Sequence, residues 1–361
     1  MTTGAGKSGA RETKRGGGGV RVTAPARLHF GFVNPGTGVD RQFGSLGLAL
    51  EDLSLQLRVE RADACSAAGA DSARAARYAK RLLHACGLRE AVRVTVEQAI
   101  PAHAGLGSGT QMALATGAAV SELFGLHLSV RDIARILDRG RRSGVGIGAF
   151  ERGGFMVDGG RTAGGGAPPV ISRIAFPGRW RVLLIFDERF KGLHDAEEVA
   201  GFARLPPFPE SESARLCQLV LMGVLPGLAE RDLEQFGSAV SEIQRTVGDY
   251  FAPVQGGRFA SRAVADALSW LEGDGAACVG QSSWGPTGFA IVNSERRAQE
   301  LAAAARRRAG DSALSFMVCR GRNRGAEVDH GAVEERSRSD RRDLRDARRA
   351  AGDVQSAAVR Q

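Results

Sequence analysis

Hydrophobic and polar residues alternate in two parts of the chain, over residues 55–59 and 92–96. A period of two is typical of strands with one buried face. A continuous apolar run over 182–186 predicts a central strand, and two later strands are predicted over 288–292 and 313–319. The chain therefore contains at least five predicted strands.

Helical spacing of apolar residues separates these strands. It is clearest over 112–123 and 130–137, and Ser129 and Asp132 form a capping-box pattern at the start of the second segment. Further helices are predicted over 213–225, 228–247 and 294–309. Strands and helices together predict an α+β protein.

The length of 361 residues suits about two domains. Pro206, Pro207 and Pro209 interrupt the pattern before the long helices, which predicts a domain boundary near residue 206. We therefore expect domains over 20–205 and 206–325. A glycine-rich leader over 1–19 and a charged tail over 326–361 are expected to be disordered.

The net charge of +9 lies mainly at the two ends. Residues 1–21 carry +4 and residues 331–361 carry +2, which leaves +3 for the middle of the chain. A basic nucleic-acid-binding protein is therefore only a weak alternative, and we expect no nucleic-acid partner. No apolar run approaches the ~20 residues of a membrane span, so we expect a cytoplasmic protein with no membrane partner.

The five cysteines are far apart and form no CxxC pair. This spacing indicates neither a disulfide framework nor a thiolate metal site. We expect all five to be small core residues.

One glycine-rich loop carries the strongest chemical signal. Residues 101–111 read PAHAGLGSGTQ and run from the strand over 92–96 into the helix over 112–123. Backbone amides converge at a helix N-terminus, and glycines let a phosphate approach them closely. The loop therefore predicts an anion site, although a turn that only packs the helix on the sheet has the same pattern.

Three segments together resemble the GHMP kinase superfamily. Residues 101–110 resemble its second motif, PARLHFG at 25–31 resembles its first, and GQSSWGPTG at 280–288 resembles its C-terminal glycine-rich loop. The resemblance implies a two-domain fold. Its N-terminal domain would be like ribosomal protein S5 domain 2, and its C-terminal domain would be ferredoxin-like.

Finer details resemble one branch, the β-ribofuranosylaminobenzene 5′-phosphate (β-RFAP) synthase family, over about residues 20–325. The segments are RLH at 27–29, GSGTQ at 107–111, RSGVGIGAF at 142–150, GGF at 153–155 and SSWGP at 282–286. The resemblance implies a transferase of methanopterin biosynthesis. It would condense 5-phosphoribosyl 1-pyrophosphate with 4-aminobenzoate or 4-hydroxybenzoate and release CO₂ and pyrophosphate.

The resemblance also implies a Mg²⁺ ion, no nucleotide cofactor, and a homodimer. The residues expected to bind phosphate or substrate are Gly105, Leu106, Gly107, Ser108, Gly109, Thr110, Gln111, Arg142, Ser143, Ser282, Ser283, Gly285 and Thr287.

Three further residues are expected to take part in the reaction. The planar fork of Arg27 matches a benzoate carboxylate, His29 would steer a proton or a phosphate, and Asp195 would face the cationic sugar. The metal ligands stay open, with Glu197 and Glu198 as candidates.

Structural roles remain open for several of these residues. Arg27 is also compatible with a surface ion pair, His29 with a core histidine, and Arg142 and Ser143 with a helix that ends at Gly144. The segment 282–287 is also typical of a tight turn before a strand, and the acids near Asp195 of an exposed helix start. The functional alternative is an ATP-dependent kinase of mevalonate or homoserine, which would share the phosphate loop.

Overall fold

Two β-sheets, each with helices packed against it, form the part of the chain that the structure describes. In this computed structural model those residues are 19–35, 40–162, 164–190, 201, 204–310 and 313–330. The first sheet has seven strands and the second has four. The α+β class predicted from the sequence is confirmed.

The first sheet is built around one long strand, β2. Its path runs β11-β1-β2-β4-β3, and β5 pairs with the start of β2 and with β6. The strands are β1 (Val20–Phe32), β2 (Ser45–Ala62), β3 (Ser66–Gly69), β4 (Ala91–Gln98), β5 (Phe155–Asp158), β6 (Val170–Ile174) and β11 (Glu327–His330). The alternating segments over 55–59 and 92–96 lie in β2 and β4, as predicted.

Four helices accompany this sheet, and one of them is central. They are α1 (Ser72–Ala85), α2 (Ser108–Phe124), α3 (Val130–Ile136) and α4 (Val145–Glu151). Helix α2 is buried over nearly its whole length and packs between the sheet and α1, α3 and α4. The predicted cap is present, because Ser129 Oγ accepts the N–H of Asp132 at 3.1 Å. The α2 N-terminus is therefore held from several sides.

The second sheet is antiparallel, in the order β10-β7-β9-β8. Its strands are β7 (Arg181–Asp187), β8 (Cys278–Gln281), β9 (Gly288–Val292) and β10 (Leu314–Cys319). The helices are α5 (Glu210–Leu219), α6 (Leu225–Glu230), α7 (Leu233–Gln255), α8 (Arg262–Gly273) and α9 (Glu295–Ala309). Strand, helices, two strands, helix and strand follow each other as in a ferredoxin-like domain, as expected.

The strand pairing corrects the predicted boundary near residue 206. Strand β7 precedes that position, yet it pairs with β9 on one side and β10 on the other. The second sheet therefore begins at Arg181. The prolines at 206, 207 and 209 mark a connection inside this unit, because a breaker ends a local element whether or not a domain ends there.

The expected tail over 326–361 is also corrected at its start. Strand β11 pairs with β1, and the nearby Arg322 is buried. The guanidinium of Arg322 donates to Glu51 and Glu327, each at 2.9 Å. Residues beyond 330, and the expected leader up to residue 18, lie outside the described residues.

The predicted helices over 213–225 and 228–247 have different limits in the structure. A π-helical turn, Val220–Val224, joins α5 to α6, and α6 ends before Arg231, whose φ is +62°. Helix α7 then begins at Leu233, because the Asp232 side chain accepts the N–H groups of Glu234 and Gln235. The other long helix, predicted over 294–309, is confirmed as α9.

The cysteines divide into two groups. Cys86, Cys278 and Cys319 are buried, as expected, and burial raises the pKa of each thiol. Cys65 and Cys217 are exposed, so the core assignment is wrong for these two. Within the described ranges, no helix is both long and apolar enough to cross a membrane.

The pairing of β11 with β1 predicts a stability difference between two shortened chains. A chain ending at residue 325 loses β11 and the Glu327 partner of buried Arg322, whereas a chain ending at residue 330 keeps both. Arg322 keeps its pair with Glu51 in the shorter chain, so one charged hydrogen bond of Arg322 and the β11 pairing are lost, and we expect the free energy of unfolding to fall by about 2 kcal/mol. Urea denaturation of both chains measures this difference. Equal midpoints would show that β11 contributes nothing.

Candidate active site

The glycine-rich loop leads into the N-terminus of α2. Gly105 and Gly107 have φ angles of +75° and +82°, which only glycine adopts readily. The first intrahelical bond runs from the N–H of Gln111 to the carbonyl of Gly107. The three amides before it, those of Ser108, Gly109 and Thr110, belong to half-buried residues at the positive end of the helix dipole. This geometry fits a phosphate group.

Arg27 lies directly against this loop. Its N–H donates to the carbonyl of Leu106 at 3.1 Å, and its Nη1 donates to the carbonyl of Gly105 at 2.5 Å. A Cβ added to Gly107 would lie 3.1 Å from Cγ of Arg27. The side chain is half-buried at the loop, so the structure places it in the site rather than in a surface ion pair.

A second cation, Arg74, was not predicted from the sequence. It lies in the first turn of α1, where Asp71 holds its guanidinium at 3.2 Å. A Cβ added to Gly109 would lie 3.3 Å from Nη1 of Arg74. The two arginines therefore flank the N-terminus of α2. No motif surrounds Arg74, and its position depends on how α1 packs against α2.

The C-terminal glycine-rich loop packs against the first loop. The hydroxyl of Ser282 donates to the Gly105 carbonyl at 2.8 Å and accepts the N–H of His29 at 3.0 Å. A Cβ on Gly285 would lie 2.3 Å from the Gly105 nitrogen, so only glycine permits this approach. The structure thus brings together the three motif segments, at 25–31, 101–110 and 280–288. The contacts between them hold the two loops against each other.

His29 is 2% exposed and neutral. Burial, and to a lesser extent the charge of Arg27, lower its pKa to about 3. Its Nδ1 accepts the N–H of Gly31 at 3.2 Å, which assigns the ring proton to Nε2. His29 can therefore donate a hydrogen bond, but it carries no positive charge for a phosphate.

Two of the predicted phosphate ligands are corrected. Gln111 is fully buried, and its Nε2 donates to the carbonyl of Gly146 at 2.8 Å, so it joins α2 to α4. The hydroxyl of Ser143 contacts Ser45 and Asp158, at 2.7 and 3.1 Å, and accepts a backbone N–H. Both side chains are used inside the protein. A binding role for half-buried Arg142 stays a prediction, but Gly144 begins α4 rather than ending a helix.

The segment after β8 is a tight turn, as the structural alternative expected. Ser282 and Gly285 hold the two loops together, and Thr287 is fully buried, with an Oγ1 that has no partner among the described residues. The Ser282 hydroxyl is used by the protein and the Thr287 side chain is fully buried, and the predicted phosphate contact of this segment stays a prediction. Ser283 has a φ of +58° and lines a neighbouring cleft, so its substrate contact stays a prediction.

The acidic candidates cannot be placed. Asp195, Glu197 and Glu198 lie outside the described residues. Within the described part of the chain, no group of three or more His, Cys, Asp or Glu side chains could hold a metal ion. Ser108 and Thr110 carry hydroxyl oxygens in the first turn of α2, and such donors fit a metal that arrives bound to phosphates.

Two family models match the chain. The GHMP kinases N terminal domain matches residues 73–154, and the GHMP kinases C terminal domain matches residues 224–311. The first match includes the phosphate loop, and the second includes the loop that packs on it. Fold and site together define a member of the GHMP kinase superfamily.

Curated relatives identify the branch. A β-ribofuranosylphenol 5′-phosphate synthase of Archaeoglobus fulgidus is 32% identical over 86% of this chain and 99% of its own length. One of Methanothermobacter thermautotrophicus is 30% identical over 84% of this chain and 97% of its own. The chain belongs to the β-ribofuranosylphenol 5′-phosphate synthase family.

Solved structures share the fold. A homoserine kinase from Cytophaga hutchinsonii has a TM-score of 0.60 and 18% identity, and covers 90% of this chain and all of its own. A mevalonate-3-kinase from Thermoplasma acidophilum has a TM-score of 0.60 and 16% identity, covering 87% of this chain and 99% of its own. At this identity the likeness shows the fold alone.

The position of Arg74 predicts a contribution to anion binding. Arg74→Gln should weaken the binding of inorganic pyrophosphate about tenfold or more, because a charged hydrogen bond is lost. Titration calorimetry measures the affinity. Arg135→Gln is the matched control, since it breaks an ion pair of the same spacing, Asp132–Arg135, in α3. Unchanged affinity in a folded Arg74→Gln protein would remove Arg74 from the site.

The buried neutral state of His29 predicts a pH-dependent stability. Unfolding lets the imidazole return to a pKa near 6.5, so the unfolded chain binds one more proton between about pH 6.5 and pH 3. Stability therefore falls as the pH falls through this window. Between pH 7 and pH 5, the wild type should lose about 2 kcal/mol more than His29→Gln.

Urea denaturation at both pH values checks this difference, with replacement of the exposed His84 by Gln as the control. Parallel losses in the wild type and in His29→Gln would contradict a neutral buried His29.

Proposed function

We propose that the protein joins the anomeric carbon of 5-phosphoribosyl 1-pyrophosphate to the ring of 4-hydroxybenzoate or 4-aminobenzoate. CO₂ and pyrophosphate are released, and the product is a β-ribofuranosyl aromatic 5′-phosphate of methanopterin-type biosynthesis. The observation that carries the proposal is the phosphate loop between Arg27 and Arg74, in a chain that matches nearly the whole length of synthases named for such a product.

The bonds of this reaction balance without an oxidant. The bond from the anomeric carbon to pyrophosphate breaks, and its electron pair leaves with pyrophosphate. The ring carbon that bears the carboxylate then forms the new carbon–carbon bond. Loss of CO₂ returns an electron pair to the ring and restores aromaticity. Charge balances with pyrophosphate released as its tetra-anion, which takes up a proton from solvent near neutral pH.

The loop supports departure of the pyrophosphate. Negative charge grows on the leaving group, and preorganised N–H donors and cations stabilise such charge without rearranging. The amides of Ser108, Gly109 and Thr110 supply the donors, and Arg27 and Arg74 supply the cations. Arg27 also lies beside His29 on β1, where it would meet the carboxylate of the aromatic acid.

We propose Mg²⁺ as the metal, arriving with the substrate. Mg²⁺ binds substrate phosphates, keeps several waters and needs few protein ligands. The hydroxyls of Ser108 and Thr110 are suitable donors at the loop. When bound, the ion would neutralise pyrophosphate charge.

Three other expectations stay predictions: Asp195 facing the cationic sugar, the homodimer and the cytoplasmic location.

A kinase of this superfamily would share the phosphate loop, but this chain differs from such kinases in the residues that follow Ser108. Gly109, Thr110 and Gln111 stand where the kinases usually have a second serine followed by alanine. The hydroxyl of that second serine is thus missing at Gly109, while the backbone N–H donors of the loop remain. Amides bind any suitably placed phosphate, so the loop alone does not select ATP.

Release of labelled CO₂ tests the proposed reaction. Purified protein and Mg²⁺ are incubated with carboxyl-labelled 4-hydroxybenzoate or 4-aminobenzoate, and with either the sugar pyrophosphate or ATP. We expect label release only with the sugar pyrophosphate, in equal amounts with pyrophosphate. Release should fall in Arg74→Gln and persist in Arg135→Gln. ATP-dependent phosphorylation of mevalonate or homoserine without label release would favour the kinase.

A further inference from the structure

A cleft beside the phosphate loop is not explained by phosphate binding. It lies between the end of β1, helix α7 and the turn after β8. Its lining residues are His29, Gly31, Phe32, Gln244, Val247, Gly248, Phe251, Gln255, Arg258, Gln281, Ser283 and Trp284. Apolar and polar side chains therefore share one cavity, which is typical of a small-molecule site.

Aromatic rings form much of its wall. The ring centroids of Phe251 and Trp284 are 4.5 Å apart, and those of His29 and Phe32 are 4.8 Å apart. Phe32 and Phe251, from β1 and α7, are separated by 6.4 Å. Aromatic faces and edges pack favourably on another ring, so this wall suits a planar aromatic ligand.

The glutamines of the cleft are occupied by the protein. Gln244 donates to the carbonyl of Phe30 and accepts the N–H of Gln281. Gln281 accepts the N–H of Ala260 and donates to Gln255. Hydrogen-bond donors of the lining remain at His29, Ser283, Trp284 and Arg258. Two of them, His29 and Arg258, set the chemistry of the cleft, because His29 adjoins the phosphate loop and Arg258 is the one cation among the described residues of the lining.

These two donors differ in charge and in location. His29 is neutral, donates through Nε2, and is joined to the phosphate loop through Ser282. Arg258 is exposed, and its Nε and Nη2 donate to Asp249 at 2.7 and 2.8 Å, which leaves Nη1 for another acceptor. The cleft is thus lined by a buried donor beside the loop, His29, and by an exposed cation at the protein surface, Arg258.

The difference between His29 and Arg258 sets the orientation in which a para-substituted ring would bind in the cleft. The reacting carbon must meet the sugar, so it belongs at the His29 end, beside the pyrophosphate. The para substituent then lies at Arg258. A hydroxyl or phenolate oxygen accepts a guanidinium N–H, whereas an aromatic amine is a poor acceptor.

We propose that this cleft binds the aromatic ring of the acceptor acid, and that Arg258 contacts its para oxygen and so selects a hydroxyl over an amino group. The inference rests on the proposed function for its substrate class. Arg258 is a specificity-determining residue in this assignment.

Kinetics of Arg258→Gln test the assignment. The KM for 4-hydroxybenzoate should rise about tenfold or more, while the KM values for 4-aminobenzoate and the sugar pyrophosphate change less than about threefold. Arg258→Lys should restore part of the preference. The matched control is Arg215→Gln, because Arg215 is also exposed and forms a two-pronged pair with Glu242, away from the cleft.

A binding measurement separates failure of this inference from failure of the proposed function. Calorimetry follows 4-hydroxybenzoate, and in a separate titration 4-aminobenzoate, added to the wild type and to Arg258→Gln, with Mg²⁺ and inorganic pyrophosphate present. Weaker binding in the variant supports the cleft even if the wild type forms no product. Equal binding, equal loss for both acids, or no binding to the wild type overturns the inference, and turnover of the wild type shows separately whether the reaction stands.

Discussion

The carbonyl oxygen of Gly105 is the contact on which the site depends. It accepts both the Ser282 hydroxyl and the Arg27 guanidinium, so β1, the phosphate loop and the turn after β8 meet at one atom. Gly285 packs on the preceding peptide, between Ala104 and Gly105, without room for a side chain. Because β1 belongs to the first sheet and the turn follows a strand of the second, this one oxygen links the two sheets.

The contact of β1, the phosphate loop and the turn after β8 at Gly105 explains how one fold serves different chemistry. Backbone amides at a helix N-terminus bind phosphate oxygens without distinguishing a nucleotide from a sugar pyrophosphate. Selectivity must come from the groups beside the loop. In this chain those groups are two arginines at the phosphate end and a neutral histidine that leads into an aromatic cleft. In the proposed reaction, phosphate chemistry and ring recognition would therefore occupy adjacent regions.

Local patterns predicted much of this arrangement. Glycine spacing and periodicity located the loop, α2 and the strands before it, because these depend on neighbouring residues. Contacts between distant segments were not predictable in the same way. They place β7 in the second sheet, bring Arg74 to the loop, and turn Gln111 into a buried tie between helices. Motif membership identified the region of the site, but it did not distinguish ligand-binding side chains from those that hold the loops together.

A crystal structure with pyrophosphate, Mg²⁺ and 4-hydroxybenzoate is the most direct test of the central claim, that the α2 N-terminus holds the leaving group beside the ring. The account predicts pyrophosphate oxygens on the amides of Ser108, Gly109 and Thr110, between Arg27 and Arg74. The ring should lie in the cleft beyond His29. Pyrophosphate bound elsewhere, with the loop amides facing only solvent, would contradict it.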